Sequence, residues 1–573
     1  MNLNIKAKQQ ATYDAIVVGS GISGGWAAKE LSEKGLKVLM LERGRDIKHV
    51  TDYETAMKGP WEFEHRGRVS TMAREEYWAN YRTGYTANEE HRHHFENDKE
   101  NPYLETRRFD WIRGYHVGGR SLMWGRQSYR LNEADFEANV KDGIGTDWPI
   151  RYKDLAPWYD YVEKFAGISG SREGLDVLPD GQFLPPMQMN CVETKVKGEV
   201  ESKFAGRKII IGRAAHLTQP QAFHTELGRA ACQFRNMCMR GCPYGAYFST
   251  QSATLPAAER TGNLTLLPDS IVSEVIFDTA QNKATGVRVI NQNDPGDVKE
   301  YFAKIIFLNA SAIPSTSILM NSKSDRFPNG MGNESDQLGR NIMDHHLGVG
   351  ASGTFEGFED KYYFGRRANG IYVPRYRNWG TDKRDYIRGF GYQGGASRES
   401  WGRGANMPGF GADFKAQISQ PGAWNMGLGG FGEMIPDPSN RFTLSPDQKD
   451  KWGLPLVVFD AAYGENERKM RIDMMNDAAE MLEAAGAKNV NTYNDTEKSP
   501  GIGIHEMGTA RMGTDPKNSV LNKHNQVWGA ENVYVTDGAA MTSASCVNPS
   551  LTYMALTARA ADHAVKELKK MNL

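Results

Sequence analysis

Tyr13–Gly44 reads YDAIVVGSGISGGWAAKELSEKGLKVLMLERG, and this stretch decides the fold. Asp14–Val18 is a short, mostly apolar run that stops at Gly19, the pattern of a strand buried in a parallel sheet. Gly19, Gly21 and Gly24 form G-x-G-x-x-G. Glycines so spaced allow a tight turn, a close approach of backbone N–H groups to a pyrophosphate, and close packing of helix on strand. Trp26–Leu31 continue as helix, Gly35 stops it, and Lys37–Leu41 make a second apolar strand ending in Glu42. An acid about twenty residues past the glycines can hold a ribose hydroxyl. The glycines alone are a weak signal. Framed by strand, helix, strand and terminal acid, they predict a dinucleotide-binding βαβ unit; the bland alternative is a glycine turn in some other βαβ unit.

The chain has 573 residues, long enough for a large core and for two domains or one large composite. A net charge of −1 gives no sign of nucleic acid or an acidic membrane surface as partner. No apolar run reaches the roughly 18 residues of a membrane span. The opening MNLNIKAKQQATYD lacks the apolar core and small-residue site of a signal peptide.

Asp46–Asn101 is polar and aromatic, and HRHHFEND at His91–Asp98 reads as a solvated loop rather than a metal site. In RGYHVGGRSLMWGRQSYR at Arg113–Arg130, Gly118 and Gly119 precede Ser121, Met123 and Trp124. Glycines there could admit a planar ring against the backbone, or simply turn the chain. Asp154–Ala166 reads as helix; Ser171–Gln219 reads as loops and short strands. Cys232, Cys238 and Cys242 follow at x5 and x3 spacing, with Gly241 and Pro243 bending the chain. Three thiols so placed can converge on one soft centre. The spacing lacks the paired C-x-x-C of the usual zinc ribbon, and three ligands suit a three-iron cluster. Three unrelated buried thiols are the alternative.

Asn263–Ile290 alternates as a hairpin, and Lys304–Ala310 is a further buried strand. Residues 351–499 read as an aromatic-bearing sheet, with Glu433 a candidate polar contact. The chain closes on His505 in HEMGTARMG, then Val533–Val535 as a strand before Asp537-Gly538, and Asn548-Pro549 before a long alanine-rich helix.

Taken in order, Gly19-x-Gly21-x-x-Gly24, Gly118-Gly119, His505, Asp537-Gly538 and Asn548-Pro549 resemble the glucose–methanol–choline (GMC) oxidoreductases over nearly the whole chain. The resemblance implies an α/β, GMC-type fold: a Rossmann-like FAD-binding domain interleaved with an antiparallel-sheet substrate domain. The expected division is 11–135, 225–350 and 500–573 for FAD, with a cysteine insertion at about 230–245, and 136–224 and 351–499 for substrate. It implies FAD contacts at Gly19, Gly21, Gly24, Glu42, Gly118, Gly119, Ser121, Val272, Asp537, Gly538, Asn548 and Thr552. In related pyranose 2-oxidases a histidine at the position of Met123 bonds the flavin; methionine cannot, so FAD is expected to be noncovalent.

Within the family, the pattern is similar to bacterial sugar dehydrogenase flavoproteins: FAD glucose, gluconate 2-, fructose and glucoside 3-dehydrogenases. Several carry the Cys-x5-Cys-x3-Cys insertion, which implies a 3Fe-4S cluster on Cys232, Cys238 and Cys242. Oxidation of a secondary alcohol needs a base for the hydroxyl proton, which neutral imidazole suits. That makes His505 the expected base and Asn548 its polar partner. The expectation is a sugar dehydrogenase, glucoside 3-dehydrogenase by preference, passing electrons through the cluster to a cytochrome or another acceptor. A small subunit with a twin-arginine signal would take it to the periplasmic side of the inner membrane; the alternative location is cytoplasmic. Two other readings are an oxidase discharging to oxygen and a flavoprotein subunit without activity.

Overall fold

The computed structural model describes residues 8–86, 88–362 and 367–573. Its main sheet is built around strand β1 (Lys8–Val18). Beside it lie β2 (Val38–Leu41), β3 (Leu264–Leu267), β4 (Asp294–Leu308) and β5 (Ala530–Val535), in the spatial order β5-β4-β1-β2-β3 and all parallel. Ala15–Val18 and Val38–Leu41 are buried, as strands covered on both faces must be. The registers bring the five carboxyl ends level: Val18 pairs with Leu41 and Leu308, Leu41 with Leu267, and Leu308 with Val535. Open parallel sheets bind ligands beyond that edge. The hairpin Ser270–Asp278 and Lys283–Asn291 continues antiparallel from β4.

Helix α1 (Ile22–Glu33) crosses from β1 to β2 and packs on helix α2 (Ser550–Lys569). Ala27, Ala28, Ala560, Ala561 and Ala564 let the backbones approach closely. A Cβ on Gly24 would lie 1.8 Å from the Gly19 carbonyl oxygen, so α1 can sit this near β1 only without one. Gly19 itself has φ +89°, the left-handed region that glycine enters freely.

A second, antiparallel sheet orders Lys488–Asn494, Val349–Phe355, Trp424–Gly432, Phe390–Arg398, Ile371–Val373 and Ile210–Ile211. Two helices cover it, and both depart from the sequence expectation. Cys191–Lys203, within a stretch expected to be loops, buries Val192, Val196 and Val200. Glu465–Ala484, within a stretch expected to be sheet, buries Met470, Met474, Ala478 and Met481. The loop at His91–Asp98 is not solvated either. His94 and Asp98 are buried, and Asp98 binds the Arg113 guanidinium at 2.7 Å. Among the described residues, no helix is long and apolar enough to cross a membrane.

Candidate active site

A cavity of about 840 Å³ opens beyond the level strand ends. Each strand delivers a wall residue just past its last pair: Gly19 after β1, Glu42 after β2, Ser270 after β3, Asn309 after β4 and Asp537 after β5. Gly21, Gly119, Ser121, Val272, Gly538, His505 and Asn548 also line it. Three expected contacts lie outside the wall. Gly24 packs on Gly19, and a Cβ on Gly118 would meet Gln251 at 2.0 Å. Thr552 hydrogen-bonds the Tyr159 hydroxyl at 2.8 Å, behind the cavity.

The wall fits a dinucleotide on its own geometry. Helix α1 begins at Gly21 with no side-chain cap, so its first N–H groups and positive dipole end face the cavity. Glu42 is buried and held by the Ser20 N–H at 3.0 Å, the Ser20 hydroxyl at 2.5 Å and the Gly44 N–H at 2.9 Å. Asp537 accepts from Ser315 Oγ at 2.6 Å and from the Ala539 N–H at 3.0 Å, and burial pushes its carboxyl up to about 6.

Far along the cavity, His505 and Asn548 face the same space. The amide of Asn548 accepts from Gln393 Nε2 at 2.6 Å, which leaves its own NH₂ to donate into the cavity. Gln393 sits on Phe390–Arg398 of the second sheet, so both sheets contribute to the site. His505 Nδ1 lies 2.9 Å from His345 Nδ1, and among the described residues nothing bonds its Nε2. Burial lowers the His505 pKa well below the imidazole value, and the neighbouring His345 ring and the Arg120 guanidinium lower it further. Arg120 is itself paired with Glu506 at 2.7 Å and Ser311 at 2.6 Å. Glu433 turns away from this space: it pairs with the buried Arg388 guanidinium at 3.0 Å.

The three cysteines line a second, small cavity together with His216, whose Nε2 is 3.5 Å from Cys238 Sγ. Burial pushes the Cys232 thiol up to about 11. Among the described residues, the triplet whose ligand atoms all lie within 4.8 Å of one another is Asp344, His345 and His505, not the cysteines. The two cavities are one residue apart: Cys238 lines the small one and Met239 the large one. Arg126 lines the large cavity and approaches Met239 Sδ at 3.9 Å.

His345, Gln393, Arg120 and Met239 carry no local sequence signal; their roles arise from elements distant in the chain.

Family models described as GMC oxidoreductase match residues 13–347 and 436–557. The chain is 27% identical to the fructose dehydrogenase large subunit of Gluconobacter japonicus, over 98% of this chain and 100% of that one. It is 29% identical to the 2-methyl-1,2-propanediol dehydrogenase of Mycolicibacterium austroafricanum, over 96% and 94%. Among solved structures, formate oxidase from Aspergillus oryzae RIB40, studied for modification of its FAD, superposes with TM-score 0.59 at 14% identity, over 99% of this chain and 100% of that one.

Proposed function

Because the chain belongs to the GMC oxidoreductase family, we propose that it is an FAD-dependent sugar dehydrogenase that oxidises a secondary alcohol of a sugar or glycoside, with glucoside 3-dehydrogenase the preferred activity. The observation that carries this reading is the pairing of His505 and Asn548 in one cavity with a dinucleotide-shaped wall. The α1 N-terminus and Gly21 would hold the pyrophosphate, Glu42 a ribose, and Asp537 with Gly538 the isoalloxazine end. FAD, when bound, supplies the two-electron acceptor for the hydride that leaves carbon. His505 Nε2 takes the hydroxyl proton, and the Asn548 NH₂ holds the same oxygen and steadies its developing charge. Met123, buried at the cavity wall, has no group that can bond a flavin carbon, so FAD is held noncovalently. Acid precipitation then leaves all of the flavin in the supernatant; yellow protein in the pellet contradicts it.

The three thiols line one small cavity, which supports a shared soft centre, and their x5 and x3 spacing supports reading that centre as a 3Fe-4S cluster. Such a cluster supplies one-electron transfer, and the Cys238–Met239 junction supports a short way out of the large cavity. A cytochrome or quinone acceptor, and a small subunit carrying the export signal to the periplasmic face, complete the proposal. Resemblance to a protein named as a large subunit supports the partner.

The test is anaerobic mixing with a panel of sugars and glycosides, with the position of the product carbonyl read by NMR. Sugars bleach the flavin of the wild type. His505→Ala keeps FAD yet slows bleaching roughly 10²–10⁴-fold, the range for a general base. Bleaching by no sugar, or a near-normal rate in the variant, overturns the reading.

A further inference from the structure

We propose that His345 is a positioning residue that fixes the tautomer of His505, so that the Nε2 facing the cavity is always the unprotonated nitrogen. This rests on the reading of His505 as the base. One group in the chain of contacts has a role that is not adjustable. The carbonyl oxygen of Ser545 can only accept, and His345 Nε2 lies 2.9 Å from it. His345 Nε2 therefore carries a hydrogen. A neutral imidazole has one N–H, so His345 Nδ1 is a lone pair. That lone pair faces His505 Nδ1 at 2.9 Å, and the bond forms only if His505 Nδ1 is the donor. The remaining nitrogen of His505, Nε2, is then an acceptor, as a base for an alcohol must be.

The backbone holds the relay at both ends. His505 N–H donates to Asp344 Oδ1 at 3.0 Å, and Gly501 and Gly503 N–H donate to Oδ2 at 2.7 and 2.9 Å. With its oxygens taken by three backbone N–H groups, Asp344 serves as the anchor of the His505 loop. The closeness of Asp344, His345 and His505 is thus explained by hydrogen bonding, without an ion. Ile504, just before the base, has φ +57°, and Ser545, whose carbonyl fixes the relay, also has φ +57°. A β-branched residue in the left-handed region is strained, and such strain persists where surrounding bonds over-determine the backbone. Both strained residues sit where the relay needs a group aimed. His345 is completely buried and packs its ring at 86° to that of His505, centroids 5.0 Å apart. Its site is a closed one, and the ring cannot exchange Ser545 for water.

The experiment uses the flavin-loaded full chain with ¹⁵N-labelled histidine, the His505 signals being identified by their loss in His505→Asn. In the wild type, His505 shows a protonated Nδ1 and an unprotonated Nε2. In His345→Leu the Nε2–H form appears, and the rate of flavin bleaching falls about 10²-fold, part of the roughly 10⁴-fold that a wrong tautomer costs in a hydrolytic triad. FAD content and the sugar concentration giving half-maximal rate stay unchanged. His345→Gln, whose amide oxygen can accept from His505 Nδ1, recovers most of the rate; a purely space-filling role would not distinguish Gln from Leu. A wild-type His505 carrying its proton on Nε2 overturns the proposal even where no variant folds, as does a His345→Leu variant of normal rate. If His505→Ala is itself without effect, the failure is that of the functional reading and not of the relay.

Discussion

A histidine is more often structural than catalytic, and among the 13 in the chain the sequence sets His505 apart by its glycine-rich HEMGTARMG loop and the family resemblance. Its surroundings add the chemistry. Burial, the neighbouring His345 ring and the Arg120 guanidinium hold the His505 ring neutral, its pKa well below that of free imidazole. The sign follows directly: a base with a depressed pKa is competent above that value and is lost as pH falls through it. The rate of anaerobic flavin bleaching is therefore expected to be flat through about 6.5, where free imidazole titrates, with its acid limb well below. A stopped-flow profile whose acid limb lies at or above 6.5 contradicts this. Asn548 shows the same principle in a neutral group: Gln393 occupies its oxygen and so decides which half of the amide faces the cavity.

Among elements, Glu465–Ala484 links helix packing to the second sheet. Met470, Met474 and Met481 are fully buried on one face of this helix, against strands that include Phe390–Arg398 with its Gln393. Met474→Ala removes a side chain from the packed core and is expected to cost about 2–5 kcal/mol, read as a lower denaturant midpoint. Flavin content is expected to be retained, because the nucleotide wall belongs to the other sheet; loss of FAD from a folded variant would refute that separation. The legibility of each element follows its local chemistry. The β1–α1–β2 unit was readable because its glycines, apolar runs and terminal acid all lie within Tyr13–Gly44. Cys191–Lys203 carries a helix signal of its own, Val192, Val196 and Val200 at helical spacing behind the Asn190 cap, whose side chain accepts from Glu193 N at 3.1 Å. Glu465–Ala484 also has its apolar residues at helical spacing, but charged residues between them and aromatic-rich neighbours made the region read as sheet. His345 and Gln393 had none to offer, since each matters only for what two sheets bring opposite it.

For the molecule as a whole, the proposed sites of substrate oxidation and electron exit are separate cavities that neighbour each other at Met239 and Cys238. Cys238→Ser is expected to lower iron content and turnover with one-electron acceptors, while anaerobic bleaching by sugar survives. Wild-type protein without iron, measured by metal analysis, would rule out that route. The level edge of the parallel sheet has a further consequence, for synthesis. The glycine loop is made long before the residues that complete its site: β1 pairs with β4, β4 with β5, and Asp537 closes the wall. At about 5–20 residues per second, roughly half a minute to two minutes separate the two halves of the site. For roughly the first half of that interval, until Leu308 is made, the flank of β1 that β4 will cover stays open. The complete wall therefore exists only once the chain has been made through Asp537, and a premature stop anywhere before it leaves no fragment with a complete nucleotide wall.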